Sequence, residues 1–295
     1  ETKIFVDAEG YADRLEKITN DESHQLVEEF MLLANEAVAK VTRKHQIPSV
    51  YRVHDDPDED RLNDLREFLA TQGIQAGDLN QRKELTRVLA KARTHPQAQL
   101  IRVQLLRSLA RACYSEKPAG HFGLAKKDYT HFTSPIRRYS DLVVHRVFEF
   151  YLVRHCGRIA PKGWKFEYRA ENMPRLAEHL SLTEQNSTEA ERESVKIKLL
   201  EYFERELKKK KRTPLAATIL EIRNHGMFVE LVDSQAYGFI HISTLDDDLY
   251  NLEGGGTALV GRRKKRRFAL GTQIAVQVER VDRFKRQIDF RVAKE

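Results

Sequence analysis

Residues 120–146 read GHFGLAKKDYTHFTSPIRRYSDLVVHR. Within them, Thr133-Ser134-Pro135-Ile136-Arg137-Arg138-Tyr139 is the sharpest local signal. Serine is a favoured helix N-cap, and proline is best tolerated at the first helical position. The spacing therefore predicts a helix from Pro135 to about Arg154. Its start would offer free backbone N–H groups and the positive end of the helix dipole, a place for an anion. Arg137 and Arg138 would then sit in the first turn, where positive charge is disfavoured. Two arrangements account for that: a bound anion offsets the charge, or one arginine pairs with Asp141 at helical spacing.

Working outward, residues 4–18 read as a hairpin around Ala8-Glu9-Gly10. A long helix follows from about Ser23, with Leu26, Val27, Phe30, Met31, Leu33, Ala34, Ala37, Val38 and Val41 on one broad apolar face, until Pro48 ends it. Val50–Asp55 reads as extended; helices are expected near 58–72, 81–94 and 97–114, with Gly73, Gly77 and Pro96 as breaks. Residues 157–173 look irregular, and a last long helix runs from Pro174 to about Lys208. After Thr213 the period changes to two: TILEI, MFVELV, GFIHI, IAVQV and IDFRV are five short strands in some eighty residues. That pattern predicts a small closed barrel of the OB type.

The 295 residues, 41% hydrophobic and 32% charged, suit one large domain and one small one. No stretch is apolar and long enough to span a bilayer, and ETKIFVDAEG is no secretory signal. Those first residues lack a starting Met and read as entering mid-strand, so we expect a fragment. Two cysteines, Cys113 and Cys156, are too few for a disulfide framework, which makes a reduced, cytoplasmic setting the expectation. The net charge of +7 and pI near 9.3 favour a polyanionic partner. The charge concentrates in KKKKR (208–212) and RRKKRR (262–267); by themselves such runs fit a solvated linker or loop equally well.

The 120–146 segment resembles the signature of the RNB nuclease family. The likeness continues in HQLVEEFMLLAN (24–35), PSVYRVHDDP (48–57) and SLTEQNSTEAERE (181–193), and so spans nearly all of residues 1–207. It implies an α+β fold: the largely helical C-terminal part of a catalytic domain that hydrolyses single-stranded RNA 3′→5′, processively, to nucleoside 5′-monophosphates. Such chemistry calls for clustered carboxylates holding divalent ions, Mg²⁺ in this family. The family's aspartate cluster is expected upstream of Glu1, and no D-x-D-D pattern replaces it here. Asp55, Asp56, Asp58 and Asp60 read as loop and helix-start charges.

By the same resemblance, Arg137 contacts the scissile phosphate, with Ser134 and Arg138 beside the RNA. Glu29 matches a glutamate near the 3′-terminal ribose, where accepting from a 2′-OH would favour RNA over DNA. Glu191 matches a second glutamate close to the terminal nucleotides. Tyr129, His131 and Tyr139 admit two readings, base stacking or core, and aromatics in such a loop are more often core.

Residues 215–293 resemble an S1 RNA-binding domain through NHGMFVEL (224–231), GFIHIS (238–243) and VDRFKRQIDF (281–290). The likeness places His225, Phe228 and His241 on the stacking platform, with Asp282 and Arg286 flanking it. Thr244 to Arg267 is an insertion whose Arg262, Arg263, Lys264 and Lys265 suit backbone phosphates. The expected organisation is a catalytic part over 1–207, a basic linker over 208–214 and the S1 barrel over 215–293. Alone, the chain is expected to bind RNA as a monomer without cutting it; the upstream part of the same protein is its other expected partner. The alternatives are a non-catalytic RNA-binding protein that keeps the channel and barrel, or a translation-associated S1 protein, against which the 120–146 signature argues.

Overall fold

The computed structural model describes residues 2–18, 21–95, 97–209, 212–253 and 256–293, arranged as two compact units. One comprises Asn20–Glu67 and Arg107–Glu189. The other comprises Glu1–Thr19, Phe68–Leu106 and Ala190–Glu295. The predicted linker residues Lys210 and Lys211 and the predicted break at Pro96 lie outside the described residues.

The hairpin near the start forms as β1 (Thr2–Val6) and β2 (Ala12–Lys17). Helix α1 (Glu22–Lys44) begins where the Asp21 carboxylate accepts from the N–H of His24 at 3.0 Å. The apolar face read along this helix is buried only over its second half, where Val38 and Ala39 enter the core. Leu26, Val27, Phe30, Met31 and Leu33 stay exposed.

Strand β3 (Tyr51–Val53) follows, then α2 (Glu59–Thr71), α3 (Arg82–Arg93) and α4 (Ala98–Ser108). The helix expected over 97–114 therefore stops early. Cys113–Ser115 instead forms β4, antiparallel to β3, and the N–H of Tyr114 donates to Ser181 Oγ at 2.9 Å. Long-range pairing has taken these residues from the helix. Helix α5 is Tyr139–His155 and α6 is Met173–Lys208. Val38, Val50, Tyr114, Val143, Val144, Met173, Ala177 and Leu180 form one core.

The five period-two segments become β5 (Leu215–Arg223), β6 (Gly226–Leu231), β7 (Tyr237–His241), β11 (Gln273–Asp282) and β12 (Gln287–Val292). They close a barrel in the order β11-β12-β7-β6-β5, so every strand edge is paired. Ala217, Ile219, Met227, Val229, Ile240, Val276, Ile288 and Phe290 fill it, and Leu200 and Phe203 of α6 join the same core. The insertion builds a further antiparallel sheet, β8 (Tyr250–Leu252), β9 (Ala258–Gly261) and β10 (Arg267–Ala269). Tyr250, Leu259 and Phe268 tie it to the barrel core.

Gly238 in β7 is fixed by close packing: a Cβ there would come within 2.5 Å of the Ile288 carbonyl oxygen and collide with the Phe290 ring. Gly238→Ala is expected to destabilise the barrel by about 1–3 kcal/mol, the usual range for overpacking. Urea unfolding followed by fluorescence checks this, and an unchanged midpoint would mean that β7 and β12 are less tightly packed than described.

Candidate nucleic-acid interface

The turn that carries Arg137 is fixed by two buried polar side chains. Asp141, wholly buried, accepts from the Ser134 N–H at 2.8 Å and from Arg138 Nη2 at 2.9 Å, and Ser140 Oγ lies 3.1 Å from its other oxygen. Asn35 of α1, also buried, accepts through Oδ1 from the N–H groups of Phe132 (3.0 Å) and Thr133 (3.2 Å) and donates to the Tyr129 hydroxyl at 3.1 Å.

This corrects the expected helix start. With its N–H committed to Asp141, Ser134 opens a turn whose carbonyl accepts from Arg137 N (3.3 Å) and Arg138 N (3.1 Å). Ser134 is not an N-cap and Pro135 is not the first helical residue; α5 starts at Tyr139 with Arg138 as its extended N-cap. Arg137 thus precedes the helix, and Arg138 is the arginine that pairs with Asp141. Ile136 and Arg137 are exposed, and the Arg137 guanidinium has no hydrogen-bond or ion-pair partner among the described residues.

Beneath the turn, Ser140 Oγ and His131 Nδ1 each lie 2.8 Å from the Tyr114 hydroxyl. The Arg52 guanidinium sits over the Tyr114 ring and pairs with Glu184. Burial, with the charges of Arg138 and Arg52 behind it, pulls the His131 imidazole down to about 3. His131 is therefore neutral at ordinary pH, and its Nδ1 shares a hydrogen bond with the Tyr114 hydroxyl.

Tyr129 is buried, as expected of a core aromatic, whereas Tyr139 is exposed. Glu29 on α1 and Glu191 on α6 are exposed helix residues. Asp58 accepts from the N–H groups of Asp60 and Arg61 at the start of α2, which makes it a helix-start charge.

On the barrel, β6 and β7 bring three of the expected residues together. Phe239 is the hub: its ring lies 5.3 Å from His225, 4.8 Å from Phe228 and 6.0 Å from His241. Tyr237 stacks on Phe228 at 5.3 Å, and the Arg223 guanidinium lies 5.4 Å from the Phe228 ring. Tyr237, Phe239 and Arg223 were not singled out from sequence; the alternation Tyr237-Phe239-His241 on one strand face was the available signal. Asp282 and Arg286 stand at the β11–β12 turn, where Asp282 accepts from Lys285 N at 2.9 Å and Arg286 pairs with Glu193.

The basic runs divide into paired and free charges. Arg266 pairs with Asp247, Arg267 with Glu253, and Arg262 donates to Asn251. Arg263 and Lys264 give backbone N–H groups to Asp248, which also feels the Arg263 charge, and the side chains of Arg263, Lys264 and Lys265 are exposed. Lys209 pairs with Glu206, and Arg212 with Glu279. Among the described residues no group of three or more His, Cys, Asp or Glu side chains is placed to hold a metal ion, and no helix is long and apolar enough to cross a membrane.

Comparison with known proteins supplies the family context. The RNB domain model matches residues 1–154 and the S1 RNA binding domain model matches residues 208–293. Ribonuclease R 1 of Lactococcus lactis is 38% identical over 98% of this chain and 35% of its own length. Ribonuclease R of Thermotoga maritima is 36% identical over 100% of this chain and 41% of its own. The chain thus spans between a third and a half of these relatives. Ribonuclease R of Mycoplasma genitalium, solved with ribose-methylated single-stranded RNA, superposes with a TM-score of 0.81 at 25% identity, over 99% of this chain and 45% of that one.

The depressed pKa of His131 has a stability consequence. Unfolding restores an ordinary imidazole, so the unfolded state binds a proton first as pH falls through about 6.5. Stability should be lost progressively from there down to about pH 3. His131→Gln should remove on the order of 2 kcal/mol of the acid-induced loss between pH 7 and 4.5. Denaturant midpoints at both pH values test this; equal acid losses in the two proteins would show that His131 is not held neutral.

Proposed function

The chain belongs to the RNB family and carries an S1 RNA-binding domain, and from that membership we propose that it is the C-terminal part of a 3′→5′ exoribonuclease acting on single-stranded RNA. In this reading residues 1–207 belong to the catalytic domain, 208–214 link, and 215–293 form the S1 domain. The parent enzyme releases nucleoside 5′-monophosphates processively, and this chain alone binds RNA without cutting it. The observation that carries the reading is Arg137: an exposed guanidinium without a partner among the described residues, on a turn that Asp141 and Asn35 hold rigid. A cation placed so, ahead of a helix start, is poised for a phosphate rather than for the fold.

Arg137 is accordingly assigned to the scissile phosphate, where its planar fork can meet two oxygens. Arg138, beside it, is spent on Asp141 and holds the turn. Glu29 is assigned to the terminal ribose and Glu191 to the terminal nucleotides. The family implies Mg²⁺, but the described residues supply no set of ligands for it. No step through the ion is therefore derived from this chain. His225, Phe228 and His241, gathered around the buried Phe239 ring, provide the stacking surface that single-strand binding uses. Arg263, Lys264 and Lys265 supply sequence-independent phosphate contacts.

The test uses the purified chain with a single-stranded homopolymer. It should bind, with affinity falling steeply as salt rises, and neutralising Arg263, Lys264 and Lys265 together should flatten that slope. Phe228→Ala combined with His241→Ala should weaken binding by about 1–3 kcal/mol for each stacked base lost. Nucleoside monophosphates released above a mock preparation, with magnesium present, would falsify the assignment of cutting to the missing part. Wild-type affinity in the double mutant would move the RNA off the barrel.

A further inference from the structure

Among the described residues of the barrel unit, Phe284 is the one fully exposed aromatic ring, at 101% relative exposure. It stands at the tip of the β11–β12 turn, between Arg283 and Lys285. A ring left wholly in water contributes nothing to the barrel's own packing. The turn beneath it is nonetheless built with care. Asp282 accepts from Lys285 N at 2.9 Å and closes the turn, and this hydrogen bond is the main reason its carboxyl is held below the usual range. Arg283 pairs with Glu204 and Arg286 with Glu193, which ties both sides of the turn to α6. These ion pairs use up the two arginines and leave the Phe284 ring, with exposed Lys285 beside it, facing solvent.

The strand register relates this tip to the aromatic cluster. Strand β12 runs parallel to β7 with Asp289 abreast of Phe239, so Gln287 stands abreast of Tyr237. Tyr237 is half exposed and stacks on Phe228. Phe284 follows three residues before Gln287, at most about 10 Å further along the strand direction at the usual rise. The outward face of β6, β7 and β12 thus ends, beyond Tyr237, at an anchored turn carrying an unburied ring and a cation.

We propose that Phe284 is a further base-stacking residue, which extends the platform of Phe228 and Tyr237 to additional nucleotides of the same single strand. The inference rests on the reading of the barrel as an RNA-binding surface. A ring on a fixed turn loses little freedom when a base stacks on it, and stacking needs no particular sequence because every base has a π-face.

The experiment compares wild type, Phe284→Ala and Phe284→Trp, all in the 295-residue chain, for equilibrium binding to single-stranded homopolymers of about four and about twelve nucleotides, lengths within the footprint of one OB barrel. Phe284→Ala should weaken the longer oligonucleotide about five-fold or more, the lower end of what one stacked base contributes, and leave the shorter one unchanged. Phe284→Trp should bind the longer one at least as tightly as wild type. Because the ring touches little, all three should melt together, so a lost fold will not mimic a lost contact. Equal affinity of wild type and Phe284→Ala for the longer oligonucleotide overturns the proposal while leaving the platform intact. Failure of wild type to bind either oligonucleotide overturns the RNA-binding reading itself, and the proposal with it.

Discussion

The carboxylate of Asp141 is the constraint on which the proposed chemistry depends. It is wholly buried, so it must be met by donors or it would not be tolerated. Its donors are the Ser134 N–H, Arg138 and Ser140. Meeting that one charge fixes three features at once: the chain turns at Ser134, α5 is delayed to Tyr139, and of two adjacent arginines the second is consumed while the first is left outside. A pair of arginines that look interchangeable in sequence is thereby given opposite duties.

The same division of charge recurs in the other unit. Many of its cations already have partners: Arg266 and Arg267 within the insertion, Arg283 and Arg286 on α6, Arg212 on β11. Arg263, Lys264 and Lys265 have exposed side chains, and β6 and β7 carry a separate cluster of rings. The net charge of +7 indicates the class of partner, whereas the pairing pattern indicates where the partner can lie.

Much of this was legible in the sequence, and the failures share one cause. The five barrel strands were readable because a half-buried strand imposes a period of two. Helix α6 was readable because its limits are local. The start of α5 was not, since local capping rules favour Ser134 and Pro135 while a carboxylate seven residues on claims the Ser134 N–H. Strand β4 was missed for the same reason: Tyr114 is held by Arg52 and Ser181, both distant in the chain. At the site, Phe228 and His241 could be named from motif likeness, but the hub that joins them, Phe239, was hidden because a buried Phe in a strand reads as core. Glu29 and Glu191 carry no signal of their own; exposed helix acids take on a role only through the family.

The most direct test of the account is to separate the two arginines by measuring the melting temperature and the affinity for a short single-stranded RNA in Arg137→Ala and Arg138→Ala. The account predicts that Arg138→Ala destabilises the fold by about 1–3 kcal/mol, because Asp141 is left buried with a donor missing. Arg137→Ala should melt like wild type and bind the RNA less tightly. If instead Arg137→Ala lowers the melting temperature while Arg138→Ala alone impairs binding, the roles assigned to the two residues are reversed and the account is wrong at its centre.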